Sequence, residues 1–110
     1  MGSAHFQLTD LTTITASAVQ DRTYAIDVLA YKTLVAEVRK HVASGGTGYF
    51  QHSATLEESA FVDIASPTFD LASTVTQVIV FTNTLRYVRW KASGVAASCT
   101  FMIDIIANEN

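Results

Sequence analysis

The sequence predicts an all-β fold: a single β-sandwich of jelly-roll type with about eight antiparallel strands. Three observations lead there. Several runs alternate apolar and polar residues with period two. Short stretches rich in Val, Ile, Thr, Tyr and Phe lie between turn marks at roughly ten-residue spacing. Finally, the 110 residues are 49% hydrophobic and only 15% charged. A chain of this length and composition is one domain able to bury its own core.

The expected strands run in order at 6–14, 24–28, 33–42, 48–53, 60–64, 68–72, 75–82, 85–92 and 98–107, one or two of them doubtful. Residues 1–23 read as a separate N-terminal segment: five mobile residues, then an edge strand or an arm that adds to a neighbour's sheet. The sandwich proper is expected over 24–110. Tyr24, Ile26 and Val28 share one face of its first strand.

Leu29 to Ala43 reads two ways. As a strand it turns Leu34, Ala36, Val38 and Val42 inward. As a helix it stacks Tyr31, Leu34, Val35, Val38 and Val42 on one side. The branched residues Thr33, Val35, Val38 and Val42 favour the strand. Gly45-Gly46-Thr47-Gly48 is the strongest turn cluster and is expected as a hairpin turn with positive φ. Thr55 to Glu58 has the spacing of a capping box, so one helical turn or a plain loop fits there.

Later strands are clearer. The run Val75–Thr82 is apolar on both faces, as a central strand would be. Val88, Trp90 and Ala92 oppose Tyr87, Arg89 and Lys91. Cys99, Phe101, Ile103 and Ile105 oppose Thr100, Met102, Asp104 and Ile106, which places Asp104 outward.

Charge and composition narrow the function. A net charge of −3 argues against direct nucleic-acid binding, which leans on clustered Lys and Arg. No stretch approaches the ~20 apolar residues of a bilayer span, so no membrane partner is expected. The N-terminal residues lack a basic stretch leading into an apolar one, so synthesis in a reducing cytoplasm is expected. The single cysteine, Cys99, excludes an internal disulfide and a Cys-rich zinc site; it reads as a buried, inert thiol. Thr and Ser stand where Lys and Glu are common. That suits the outer face of a sheet, or a surface covered by neighbours in an assembly.

No residue pattern carries catalysis. His5, His41 and His52 lack ligand spacing. Glu57, Glu58, Asp63 and Asp70 have no sequence sign of a catalytic pair. The glycine cluster lacks the Lys-Ser/Thr of a phosphate loop. No enzyme, cofactor or metal site is therefore expected. Two contact readings remain. Phe6, Leu8 and Leu11, with the Tyr87/Arg89/Lys91 face, are candidate partner contacts. Tyr49, Tyr87 and Trp90 are candidate sugar-stacking residues of a carbohydrate-binding module, although Trp90 shares its face with the apolar Val88 and Ala92.

The cadence Gln51-His52-Ser53-Ala54, an acidic loop, then Ala60-Phe61-Val62-Asp63-Ile64 is joined by Leu85-Arg86-Tyr87-Val88-Arg89-Trp90-Lys91 and by the closing Cys99–Ile105 run. Upstream, Ile26-Asp27-Val28 and Tyr31-Lys32-Thr33-Leu34 continue it. Over residues 24–107 the chain resembles small β-sandwich structural proteins of tailed bacteriophages, including capsid decoration and head- or tail-attached proteins. The resemblance implies a non-catalytic virion protein that binds and stabilises a capsid or tail lattice in multiple copies. Its partner would be a major capsid or tail protein, and its own oligomer a closed one such as a trimer. It also tips 33–42 toward strand.

Overall fold

The computed structural model describes residues 2–109, with the backbone alone at Ala65. Met1 and Asn110 lie outside the described residues, so the expectation of a mobile start is tested only from Gly2 onward. Nine strands form among the described residues: β1 (Ser3–Ile14), β2 (Ala18–Val19), β3 (Ile26–Asp27), β4 (Thr33–Val42), β5 (Thr47–Ser53), β6 (Val62–Asp70), β7 (Gln77–Thr82), β8 (Tyr87–Ser93) and β9 (Cys99–Asn108). They build two antiparallel sheets in a sandwich. One runs β1-β9-β4-β7. The other runs β2-β8-β5-β6, with β3 also paired to β8.

Alternation dictates the core. Phe101, Ile103 and Ile105 of β9, and Leu34, Ala36 and Val38 of β4, face the second sheet's Phe50, Val88 and Trp90, all of them buried. Five rings link the layers. Phe81 stacks on Phe50 at 4.9 Å between centroids, Phe50 meets Phe69 at 5.2 Å, and Trp90 stands edge-on to Phe101 at 5.1 Å. Phe69 also reaches Phe101 at 6.5 Å. Such offset and edge contacts suit the ring quadrupole.

The segment 33–42 is a strand; Thr33, Val35 and Val38 pair along both β7 and β9, and Val42 along β9. Its last turn departs from the expected face. Lys40 is inward in phase with Leu34, Ala36 and Val38, and a register shift between Lys40 and Val42 then leaves Val42 exposed. There the ammonium donates to the Asp70 carbonyl at 2.7 Å and to Gln77 Oε1 at 3.0 Å. Burial pushes the Lys40 pKa down.

Other expectations are corrected. Residues 3–5 are paired, Ser3 through His5 opposite Asn108 through Ile106. The expected strand 24–28 is broken up, because the Asp21 carboxylate accepts from Thr23 N and Thr23 Oγ1 and closes a 3-10 turn over Arg22–Tyr24. Tyr24 is thereby 70% exposed instead of sharing a strand face with Ile26 and Val28. The strands expected at 60–64 and 68–72 are one strand, β6. A register shift between Gly48 and Phe50 absorbs the extra residues around Pro67, on an edge where a missing N–H is tolerated. The helical turn near the acidic loop falls at Glu58–Ala60, with no side-chain cap from Glu57.

Nor is the glycine cluster a hairpin. It carries the chain from β4 in one sheet to β5 in the other. Gly46 has φ +108, and a Cβ there would sit 2.8 Å from the Ser93 carbonyl oxygen. A Cβ on Gly48 would fall 1.9 Å from the Phe69 ring. Phe69 therefore occupies the space that a side chain at 48 would need.

Candidate functional site

Two features of the sandwich stand out as places where something could bind: one bare sheet edge and one cleft. The edge is β7. The run was expected to be central, but among the described residues β4 is its only ladder partner, and Val75, Val78 and Val80 are 69%, 64% and 57% exposed. Natural sheets blunt edges with charge, proline, bulges or brevity. The other three edges follow that rule. β1 carries two register shifts and Asp10, β6 carries Pro67, Asp63 and Asp70, and β2 and β3 have two residues each. β7, Gln-Val-Ile-Val-Phe-Thr, has none of these devices.

The valines continue onto the outer face of the sheet. Val80 lies opposite Val35, Val35 opposite Ile106, and Ile106 opposite His5. Beside this apolar row sits a charged one. Arg39 Nε donates to Glu37 Oε1 at 2.6 Å and its NH2 reaches Asp104 Oδ2 at 3.4 Å, while His5 Nε2 lies 3.1 Å from Asp104 Oδ1. A hollow of about 260 Å³ separates the two rows.

The cleft lies at the opposite side, between the bulged strand β1 and the segment 19–24. It measures about 500 Å³, and its walls include Gln7, Asp10, Thr12, Asp21, Tyr24 and Trp90. Gln20, also in the wall and buried, ties the region together. Its Nε2 donates to the Leu8 carbonyl at 2.6 Å, and its Oε1 accepts from Trp90 N at 3.3 Å.

The candidates from sequence are dispersed. Leu8 is in the core, Phe6 packs edge-on against Tyr31 at 6.0 Å, and only Leu11 of the three is well exposed. The Tyr87/Arg89/Lys91 face was expected to offer partner contacts, yet Arg89 is 2% exposed. The segment 57–61 folds over it. Arg89 Nε donates to Gln51 Oε1 at 2.8 Å, its NH1 to the Gln20 carbonyl at 3.1 Å, and both NH groups to the Glu58 carboxylate. The Phe61 ring lies 4.1 Å above the guanidinium. The network runs on, because Gln51 Nε2 donates to Asp63 at 2.8 Å and Lys91 Nζ to the same carboxylate at 3.1 Å. The Arg89 hydrogen bonds hold the Glu58 pKa below the ordinary range; Gln51, then Lys91, do the same for Asp63. Arg89 is thus a structural clamp rather than a free contact.

The sugar platform does not assemble. Trp90 is 4% exposed on the inner face, whereas Tyr49 and Tyr87 lie on the outer one, Tyr49 beside Lys91 and Tyr87 beneath Arg86. The carboxylates weighed as catalytic are engaged elsewhere: Glu58 with Arg89, Asp63 with Gln51 and Lys91. His52 Nδ1 accepts from Leu85 N at 3.1 Å, and burial lowers its pKa. Cys99 is buried near Ser44. Among the described residues no three His, Cys, Asp or Glu side chains converge as metal ligands would. No helix there is long and apolar enough to cross a membrane.

The strand layout defines the class as a two-sheet antiparallel β-sandwich. Two solved structures share it. The crystal structure of the SPBc2 prophage-derived protein YomS aligns with a TM-score of 0.60 at 11% identity, covering 96% of this chain and 93% of that one. A protein described under "Bacillus endospore appendages form a novel family of disulfide-linked pili" aligns with a TM-score of 0.50 at 14% identity, covering 100% and 93%. At these identities the likeness is one of fold. No protein-family model matches the sequence, and neither does any curated protein.

Proposed function

We propose that this chain is a non-catalytic structural protein of jelly-roll type that works in multiple copies, attaching to and stabilising a virion capsid or tail lattice. The observation that carries the reading is the uncharged, unblunted β7 edge with its exposed valines. An edge of this kind is a template for main-chain pairing with another chain. The two-fold partner it fits best is a second copy of itself. In such an isologous contact each residue meets its own copy or a near neighbour, so a charged edge would repel itself while β7 would not. Val78 and Val80 would then form one apolar row across the joint.

Two further facts support the assignment. The sheet orders β1-β9-β4-β7 and β2-β8-β5-β6 interleave early and late strands as a jelly roll does. The structural neighbours, by their descriptions, are a prophage-derived protein and a component of pili. The partner on the particle would be a major capsid or tail protein. A pair through one edge suits a two-fold better than the trimer weighed from sequence.

Light scattering coupled to gel filtration tests the reading at two protein concentrations. The wild type should give a dimer or larger species, and Val78→Lys with Val80→Lys should give a monomer with an unchanged melting temperature. A wild type that stays monomeric at its highest soluble concentration, or a double variant that assembles as before, would sink it.

A further inference from the structure

The loop that carries the chain from β7 to β8 is fastened by a group that acid can switch. His52 Nδ1 accepts from Leu85 N at 3.1 Å. A ring nitrogen accepts only while it carries no proton, because an imidazolium is a donor at both nitrogens. Protonated, His52 would set one donor against another, and the Leu85 amide would lose its acceptor.

The surroundings offer a charged ring nothing in exchange. On its own face of the sheet His52 lies opposite Val62 of β6 and Val88 of β8. The inward row of the other sheet at this end, Leu34, Phe81 and Ala107, is apolar. Asp63 and Arg89 lie opposite Gln51, on the outer face with Tyr87, and are bound to Lys91 and Glu58. Arg86, in the loop itself, is paired with Asp27. Burial lowers the His52 pKa, so the ring is neutral at pH 7 and takes its proton only as the medium falls below about pH 6.5.

The loop is anchored at one end alone by ties that survive that acidity. Val28 N donates to the Arg86 carbonyl at 2.7 Å, and Arg86 holds Asp27 Oδ2 through Nε at 3.0 Å and NH2 at 2.8 Å. Arg86 keeps the Asp27 pKa below its ordinary value, so this pair persists while His52 charges. Among the described residues, the Leu85–His52 bond is the one hydrogen bond that ties 83–85 to another strand, since Asn83 Nδ2 reaches only Thr82 Oγ1, its neighbour. Asn83 also sits at φ 59, a conformation that residues other than glycine seldom adopt. A segment so held opens at little cost once its tie is cut.

We propose that His52 is an acid-operated latch on residues 83–85: closed while Nδ1 is bare, it opens on protonation, frees Leu85 from the end of the sandwich and leaves both sheets paired. The device does not rest on the β7 pairing, so either proposal can fail alone.

Amide hydrogen exchange of the full chain, read by NMR at pH 7.5 and pH 5 as protection relative to an unstructured peptide, tests the latch. The wild-type Leu85 amide should lose protection about tenfold or more at pH 5, as one linked proton gives per pH unit. Val28 and the amides of β5 and β9 should keep theirs. His52→Asn presents a neutral oxygen in place of Nδ1 and should hold Leu85 protected at both pH values. His52→Phe offers no acceptor and should leave Leu85 unprotected at both. The proposal is overturned if wild-type Leu85 is equally protected at the two pH values, if it loses protection only together with the core amides, or if His52→Asn responds to pH like the wild type.

Discussion

Replacing Arg89 by Met keeps the stem volume and removes the guanidinium, and the consequence follows from what that group holds. Two buried acceptors lose their donor, Gln51 Oε1 and the Gln20 carbonyl. Each orphaned acceptor costs about 1–3 kcal/mol. The Phe61 ring also loses a cation above its face, worth about 0.5–2 kcal/mol. The Glu58 carboxylate is largely solvated, so its loss adds little. The total, about 2.5–8 kcal/mol, is a large part of the 5–15 kcal/mol typical of a domain. Urea unfolding followed by Trp90 fluorescence measures it as a fall in midpoint at constant slope. Arg89→Lys should lie between, since one ammonium cannot reproduce the forked contacts. If Arg89→Met unfolds within about 0.5 kcal/mol of the wild type, a figure typical of surface changes, the clamp is not structural and Arg89 returns as a free partner contact.

Gly48→Ala should destabilise by about 1–3 kcal/mol through overpacking against Phe69, and Phe69→Leu in the same chain should recover part of the loss in a thermal melt. Stability should begin to decline as pH falls below about 6.5, because burial lowers the His52 pKa and the unfolded chain takes that proton first, and it should fall further in acid. Glu58 is held low by Arg89, Asp27 by Arg86, Asp63 by Gln51, and Asp21 by Thr23 N. Depressed carboxylates stabilise above their unfolded pKa, and that stability is lost as pH falls through the folded values, here below about pH 4. Urea midpoints from pH 7 down to pH 2.5 check this; a midpoint unchanged to the lowest pH contradicts it.

How legible this was depended on whether the signal is local. β9 alternates strictly and β4, β5 and β8 alternate over part of their length, so many of their inward residues and much of their span followed from Leu34, Phe50, Val88, Phe101 and their neighbours. What was lost is what neighbours decide. Val78 and Val80 looked like core because alternation reports faces and not how many ladders a strand has. Arg89 looked exposed because the segment that covers it comes from 57–61, some thirty residues away in sequence. Tyr24 was misplaced by the Asp21 turn, whose local capture of Thr23 outweighs strand propensity. The cleft was invisible because the bulges of β1 fall in a Thr-rich stretch with no alternation for them to interrupt.

The unequal ends of the β1-β9-β4-β7 sheet also set a limit on growth. A ribbon lengthens without bound only if each added unit offers a fresh docking end like the one it consumed. Here one end is receptive and the other is spoiled by two bulges and an aspartate. A pair joined through the receptive ends has used them both and presents only spoiled ones. Polymerisation along the hydrogen-bond direction thus stops at two subunits, and any larger shell or fibre must be tiled from such pairs by contacts of another kind.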